Sequence, residues 1–210
     1  MFYEPRLGHG LPHDPFKAII APRPIGWIST VDTQGRPNLA PYSFFNAVHS
    51  SPPMLAFTSE SMKHSAANAI ATGEFVFNLS TRPLFEAMNI SSGALADGED
   101  EFVAAGLAPA PCRIVKAPRV AVAPAAMECK VVHSMQLHDV NGEALAGWII
   151  IGQVVGVHID EAFLRDGRFD TAAAQSLARC GYRDYTAVGE LFEALRPTDG
   201  GAFVAGQRDR

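Results

Sequence analysis

The sequence predicts a mainly β protein, a β-barrel with short helices, and three observations carry that expectation. Short runs such as Trp27-Ile28-Ser29-Thr30-Val31 alternate large apolar and small polar residues, the period of a half-buried strand. Turn formers are abundant, with 18 glycines and 15 prolines in 210 residues, and many of them separate apolar runs. Helix-like stretches are short, and no segment repeats at a fixed period. Hairpins with short helices leave an all-β or an α+β domain open, built as a closed or a split barrel. The length suits one domain, and a hydrophobic content of 48% is enough for a sizeable core.

In chain order, residues 1–24 read as an irregular arm rich in proline and histidine. His9 and His13 have the spacing of one helix face, but Gly10 and Pro12 interrupt any helix, so solvated histidines are expected rather than a metal site. Gly35 marks a turn over Asp32–Pro37, after which Asn38-Leu39-Ala40 starts a return strand. Pro41 to Val48 reads as an aromatic loop. Met54-Leu55-Ala56-Phe57-Thr58 is the next strand, Ser65 to Ala71 a short helix closed by Gly73, and Phe75-Val76-Phe77-Asn78 a further strand. Thr81 is placed to cap a helix through Met88 with Pro83 in its first turn. Ser91 to Asp100 is a loop, Glu101 to Ala105 a short helix, and Pro109 to Pro118 loop or sheet edge. Ala126–Leu137 and Trp148–Ile159 flank the turn Asp139-Val140-Asn141-Gly142 and predict a long hairpin. Asp160 to Leu164 begins a helical turn, Leu191–Pro197 is a last, partly apolar element, and the end after Thr198 is polar and frayed.

The junction between the Met54–Thr58 strand and the following helix collects Ser59, Ser61, Lys63, His64 and Ser65. A helix N-terminus presents unpaired N–H groups and a positive dipole end, so this cluster reads as a phosphate seat. It reads equally as a serine N-cap beside a solvated lysine. Phe44 and Phe45 pose a separate question, because neighbouring side chains in extended chain face opposite ways. One of them either packs on a flat ligand or partner subunit, or the loop plugs an open barrel end.

Net charge is −5 with a pI near 5.8, which argues against nucleic-acid or anionic-membrane surfaces and requires any phosphate to be held by a local cluster. Cys112, Cys129 and Cys180 are odd in number and widely spaced, so neither a zinc site nor a disulfide framework is expected. The first residues have neither signal-peptide nor transit-peptide character, and no apolar run approaches membrane-spanning length, which predicts a cytoplasmic protein. Gly8-His9-Gly10 lacks a third glycine, and no nucleotide-binding lysine loop or nucleophile-elbow serine motif occurs.

Arg23-Pro24-Ile25-Gly26-Trp27-Ile28-Ser29-Thr30, Asn38 through Val48, and Thr72-Gly73-Glu74-Phe75-Val76-Phe77-Asn78-Leu79 resemble the flavin reductase-like, FMN-binding split β-barrel family. The likeness continues through Met88–Ser92, Asp100–Phe102, Ala105–Leu107, Pro118–Val120, Met127–Cys129 and Gly152–His158, and so spans roughly Pro22 to Tyr185. The resemblance selects the split barrel, placed at residues 25–186 between the arm and a C-terminal tail of 187–210. It implies a homodimer with FMN, or FAD as the alternative flavin, near the subunit interface.

The site residues implied are Ser43, Phe44, Phe45, Asn46 and Ala47 along the flavin ring, with Ser59, Lys63, His64, Ser65 and Arg82 around the phosphate. Arg82 is carried over because related flavin proteins have a basic residue near this place, and it reads equally as a surface arginine at a helix start. The activity implied is NAD(P)H-dependent flavin reduction, with a monooxygenase as one candidate recipient of the reduced flavin. The alternatives are a flavoredoxin-like protein passing electrons to an acceptor protein, and a non-enzymatic flavin binder. Short flavin reductases that resemble this chain often carry a nicotinamide-contacting histidine before a glycine-containing strand. Here that region reads Ala146-Gly147-Trp148-Ile149-Ile150-Ile151-Gly152 and has none, and His138 in the hairpin is not a match.

Overall fold

A computed structural model describes residues 1–93 and 99–194. Half of the expected Ser91–Asp100 loop, part of the Leu191–Pro197 element and the polar end lie outside the described residues; Leu191 to Ala194 has no helix or strand. Seven antiparallel strands form the main sheet: β1 (Gly26–Val31), β2 (Pro37–Tyr42), β3 (Phe45–Ser50), β4 (Pro53–Ser59), β5 (Glu74–Leu79), β6 (Ala125–His138) and β7 (Ala144–Ile159). Their order across the sheet is β2-β1-β5-β6-β7-β4-β3. The sheet curls around one core to which Ile28, Tyr42, Leu55, Phe57, Phe75 and Ile150 contribute from five strands. Its two edges, β2 and β3, are joined by the Ser43-Phe44 turn but are not hydrogen-bonded to each other, so the barrel is split there.

The Pro41–Val48 stretch is therefore not a loop: only Ser43 and Phe44 turn, and Phe45 begins strand β3. The two phenylalanines do part company. Phe45 crosses the split and stacks on Phe77 with ring centroids 4.9 Å apart. It fits because Gly26 faces it; a Cβ there would lie 2.4 Å from the Phe45 ring. Phe44 stays outside, with the Lys17 ammonium 5.3 Å from its ring.

Strand β1 was expected to be half-buried but is buried along its whole length. Helix α1 (His64–Thr72) supplies Ala66 and Ala69 to the core containing Ile28, while Trp27 points into a second cluster with Met88 and Phe102 from α2 (Phe85–Ile90) and α3 (Glu101–Ala104). Covering both faces leaves the polar positions of β1 to be satisfied internally. Ser29 Oγ donates to the Pro118 carbonyl and accepts from Asn78, and Thr30 Oγ1 accepts from Asn68. Trp27 Nε1–H donates to Ser91 Oγ at 2.9 Å. Each large side chain buried here contributes about 1.5–3 kcal/mol of transfer free energy.

Helix α1 ends as expected at Gly73, whose φ of 71° is the left-handed cap conformation. Thr81 precedes a 3-10 turn, Arg82–Leu84, instead of capping one helix through Met88, and its side chain makes no cap bond. The β6–β7 hairpin forms around Asp139, whose Oδ1 accepts from the N–H groups of Asn141 and Glu143. No helix among the described residues is long and apolar enough to cross a membrane.

Candidate functional site

Strand β4 sorts its side chains by alternation. Leu55, Phe57 and Ser59 point into the barrel, and Met54, Ala56 and Thr58 point out. The outward face of β4, with Asn46 and Val48 of β3 and Ile149 of β7, forms the floor of a groove of about 390 Å³. Ser43, Phe44 and Phe45 close one side, and Ile20, Pro22, Arg23 and Pro24 of the N-terminal arm form the wall. This volume lies within the roughly 300–1,000 Å³ range of small-molecule pockets.

The arm is held against the barrel by Arg23, which is 7% exposed. Its Nη1 donates to the carbonyls of Lys17 and Ile20, and Nη2 donates to the Cys180 carbonyl at 2.8 Å. Nε is buried and has no acceptor. A buried guanidinium donor without a partner beside an open groove is a group that a ligand oxygen or ring nitrogen would satisfy. At the same wall Lys17 Nζ meets Glu60 at 3.2 Å; both side chains are more than half exposed, so this pair contributes little to stability.

From Thr58 the chain leads directly to the start of α1, and the Thr58 N–H donates to the Phe44 carbonyl, tying the groove to that junction. Lys63 occupies the N-cap position, and no side chain caps the helix. The first intrahelical bond is from the Ala67 N–H to the Lys63 carbonyl, so the amides ahead of it face the helix entrance beside exposed Lys63 and His64. A helix entrance with free amides, a positive dipole end and a lysine at its N-cap is the kind of place that takes an anion.

The structure separates the sequence-derived residues by place. Ser43, Phe44, Phe45 and Asn46 line the groove, and Lys63 and His64 stand at the helix entrance. Ala47 is exposed on β3 but outside the groove lining. Ser59 and Ser65 are buried, and their hydroxyls are spent internally. Ser59 Oγ donates to the Ser61 carbonyl at 2.6 Å, and Ser65 Oγ accepts from Asn38 at 2.7 Å. Both sit beside the buried Tyr42 phenol, whose pKa burial raises. They brace the junction from beneath.

Arg82 is exposed, its N–H donates to the Gln175 carbonyl, and its guanidinium lies 5.6 Å from the Phe85 ring centroid. It is not part of the groove lining. The residues that sequence reasoning missed are Arg23, the rest of the arm wall and Thr58. Arg23 lies within a quoted motif, yet nothing local marks it as a buried donor.

A flat ligand with a phosphate tail matches this layout: an apolar, open-faced groove, an unsatisfied donor in its wall and an anion seat one strand end away. Residues 20–173 match the flavin reductase like domain. An uncharacterised protein of Deinococcus radiodurans is 37% identical over 194 residues, covering 86% of this chain and 82% of its own. Among solved structures, nitrilotriacetate monooxygenase component B from Bacillus cereus superposes with a TM-score of 0.83 at 29% identity, covering 92% of this chain and 98% of its own. The flavoredoxin of Desulfovibrio vulgaris (Miyazaki F) does so with a TM-score of 0.74 at 26% identity, covering 87% and 94%. The chain belongs to the flavin reductase-like family of split-barrel proteins.

Proposed function

We propose that this chain is an FMN-binding flavoprotein that accepts hydride from NAD(P)H. The observation that carries the reading is a groove whose floor includes Thr58, near the end of the strand that leads five residues on to the uncapped entrance of α1, with the Thr58 N–H bonded to the Phe44 carbonyl. Phe44, Phe45 and Asn46 would flank the ring system, Arg23 Nε would meet a polar atom at its edge, and Lys63 with the α1 amides would hold the phosphate. When bound, the flavin supplies the two-electron chemistry. The protein's share is to seat the ring, fix its polar edge and leave one face open to a nicotinamide. Nothing in that share requires an acid–base pair, and the groove lining contains none.

The working unit proposed is a homodimer. The outward face of the sheet puts Met135, Ile149 and Thr58 in one row and His133, Ile151, Ala56 and Asn46 in the next. Val48 and Met135 on this face are 50% and 58% exposed. Groove and face share Ala56, Thr58, Ile149 and Val48, so a second copy seated on the face would also roof the groove.

The purified protein should show flavin absorbance after addition of FMN, scatter light as a dimer, and bleach on anaerobic addition of NADH or NADPH. A flavin-loaded protein that dithionite bleaches and neither nucleotide does would favour the second reading, a flavoredoxin-like carrier feeding an acceptor protein. The missing histidine before Gly147 and the similarity to flavoredoxin give that reading its support. Absence of FMN binding would sink both.

A further inference from the structure

A second cavity, of about 600 Å³, opens toward the far end of β7. Ile149 lines the groove and Gly156 lines this cavity, separated by roughly 23 Å of strand at about 3.3 Å per residue. At its base Cys112, Glu128 and His158 bring their ligating atoms within 4.8 Å of one another. This trio has the composition of a metal site but not the free lone pairs. Glu128 Oε1 accepts from the Arg113 N–H and lies 2.7 Å from His158 Nε2, while Oε2 accepts from the N–H groups of Ile114 and Val115. Burial pushes the Cys112 thiol up to about 11, so it keeps its proton.

With Glu128 saturated, its charge is compensated inside the wall. Asp160, also in the lining, accepts from the Ala162 N–H at 3.0 Å as a helix cap. The two cations of the lining have no such partners. Among the described residues neither Arg113 nor Arg119 makes an ion pair. Arg119 Nε is buried without an acceptor, and Nη1 reaches only the Ala121 carbonyl, at 3.4 Å. Around these guanidinium groups the cavity is largely polar, and Ile114, Val157 and Ile159, which are 52%, 54% and 45% exposed, add an apolar strip.

We propose that this cavity binds a phosphate-bearing organic anion of nucleotide size, separately from the flavin groove. The guanidinium pair offers planar, forked donors suited to phosphate oxygens. The volume and the aliphatic strip of Ile114, Val157 and Ile159 would take a flat organic body that a bare phosphate leaves unfilled.

The test titrates FMN-saturated protein with AMP, inorganic phosphate and adenosine, followed calorimetrically, for the wild type and for Arg113→Met and Arg119→Met. AMP should bind the wild type, and more tightly than either fragment. Each substitution should weaken AMP by about tenfold or more, as loss of a charge-assisted contact does, while FMN affinity stays unchanged. Arg113 is exposed, so its substitution decides the matter even if Arg119→Met fails to fold. No heat with AMP, AMP binding that both substitutions leave intact, or equal affinity for AMP and either fragment would overturn the proposal.

Discussion

Glu128→Ala should destabilise the protein by about 3–5 kcal/mol, the cost of removing one member of a buried, hydrogen-bonded charge network. Glu128 is 1% exposed, and its carboxylate gathers the N–H groups of Arg113, Ile114 and Val115 together with His158. Truncation leaves those donors facing a void and frees the 113–115 segment from β6. The acid dependence follows from the same contacts. Burial alone would raise the Glu128 pKa, but the backbone donors and His158 outweigh it and hold the carboxyl at about 2. A lowered native pKa stabilises the fold fully above the unfolded value near 4.5, and that contribution is lost as pH falls toward 2. Urea unfolding should therefore show the wild type far above Glu128→Ala at neutral pH, with the gap narrowing below pH about 4.5. A constant gap across that range would show that the charge of Glu128 is not what anchors the loop.

Lys63→Ala should weaken FMN binding by roughly ten- to a hundredfold, the equivalent of one charge-assisted hydrogen bond of about 1.5–3 kcal/mol. The structure makes this substitution informative because Lys63 is exposed at the N-cap of α1 and its side chain makes no cap bond, so its removal leaves the helix start intact. The serines that looked like co-ligands in the sequence are committed to Asn38 and Ser61, which leaves the proposed phosphate contact to Lys63 and the helix amides. Riboflavin has the ring but no phosphate and is the control. Its affinity should hardly change. Equal losses for FMN and riboflavin would indicate damage to the fold, and no loss for either would place Lys63 outside the site.

Much of the barrel was legible because its signals are local. The Asp139–Gly142 turn announced the β6–β7 hairpin, Gly73 announced the end of α1, and the adjacent pair Phe44-Phe45 announced one inward and one outward ring. Strand β3 was hidden because most of its residues are exposed, so it lacks the alternation that marks a half-buried strand. The groove wall was hidden for another reason: Arg23 is fixed by a carbonyl 157 residues away, and no window of sequence contains both partners. Ser59 and Ser65 show a limit of composition, since a hydroxyl at a helix start looks alike whether it faces a phosphate or a buried tyrosine. Cys112, Glu128 and His158 converge only because β6 and β7 pair and the 112–115 segment folds back over them.

The central claim is that the groove between the arm and β3–β4 seats a flavin whose phosphate reaches the start of α1. A crystal structure of the protein grown with FMN tests it most directly. Ring density is expected against Phe44, Phe45 and Asn46, with an acceptor atom within hydrogen-bond reach of Arg23 Nε and the phosphate beside Lys63 and the amides of α1. Flavin density in the Arg113–Arg119 cavity, or a groove that stays filled only with solvent at saturating FMN, would contradict it.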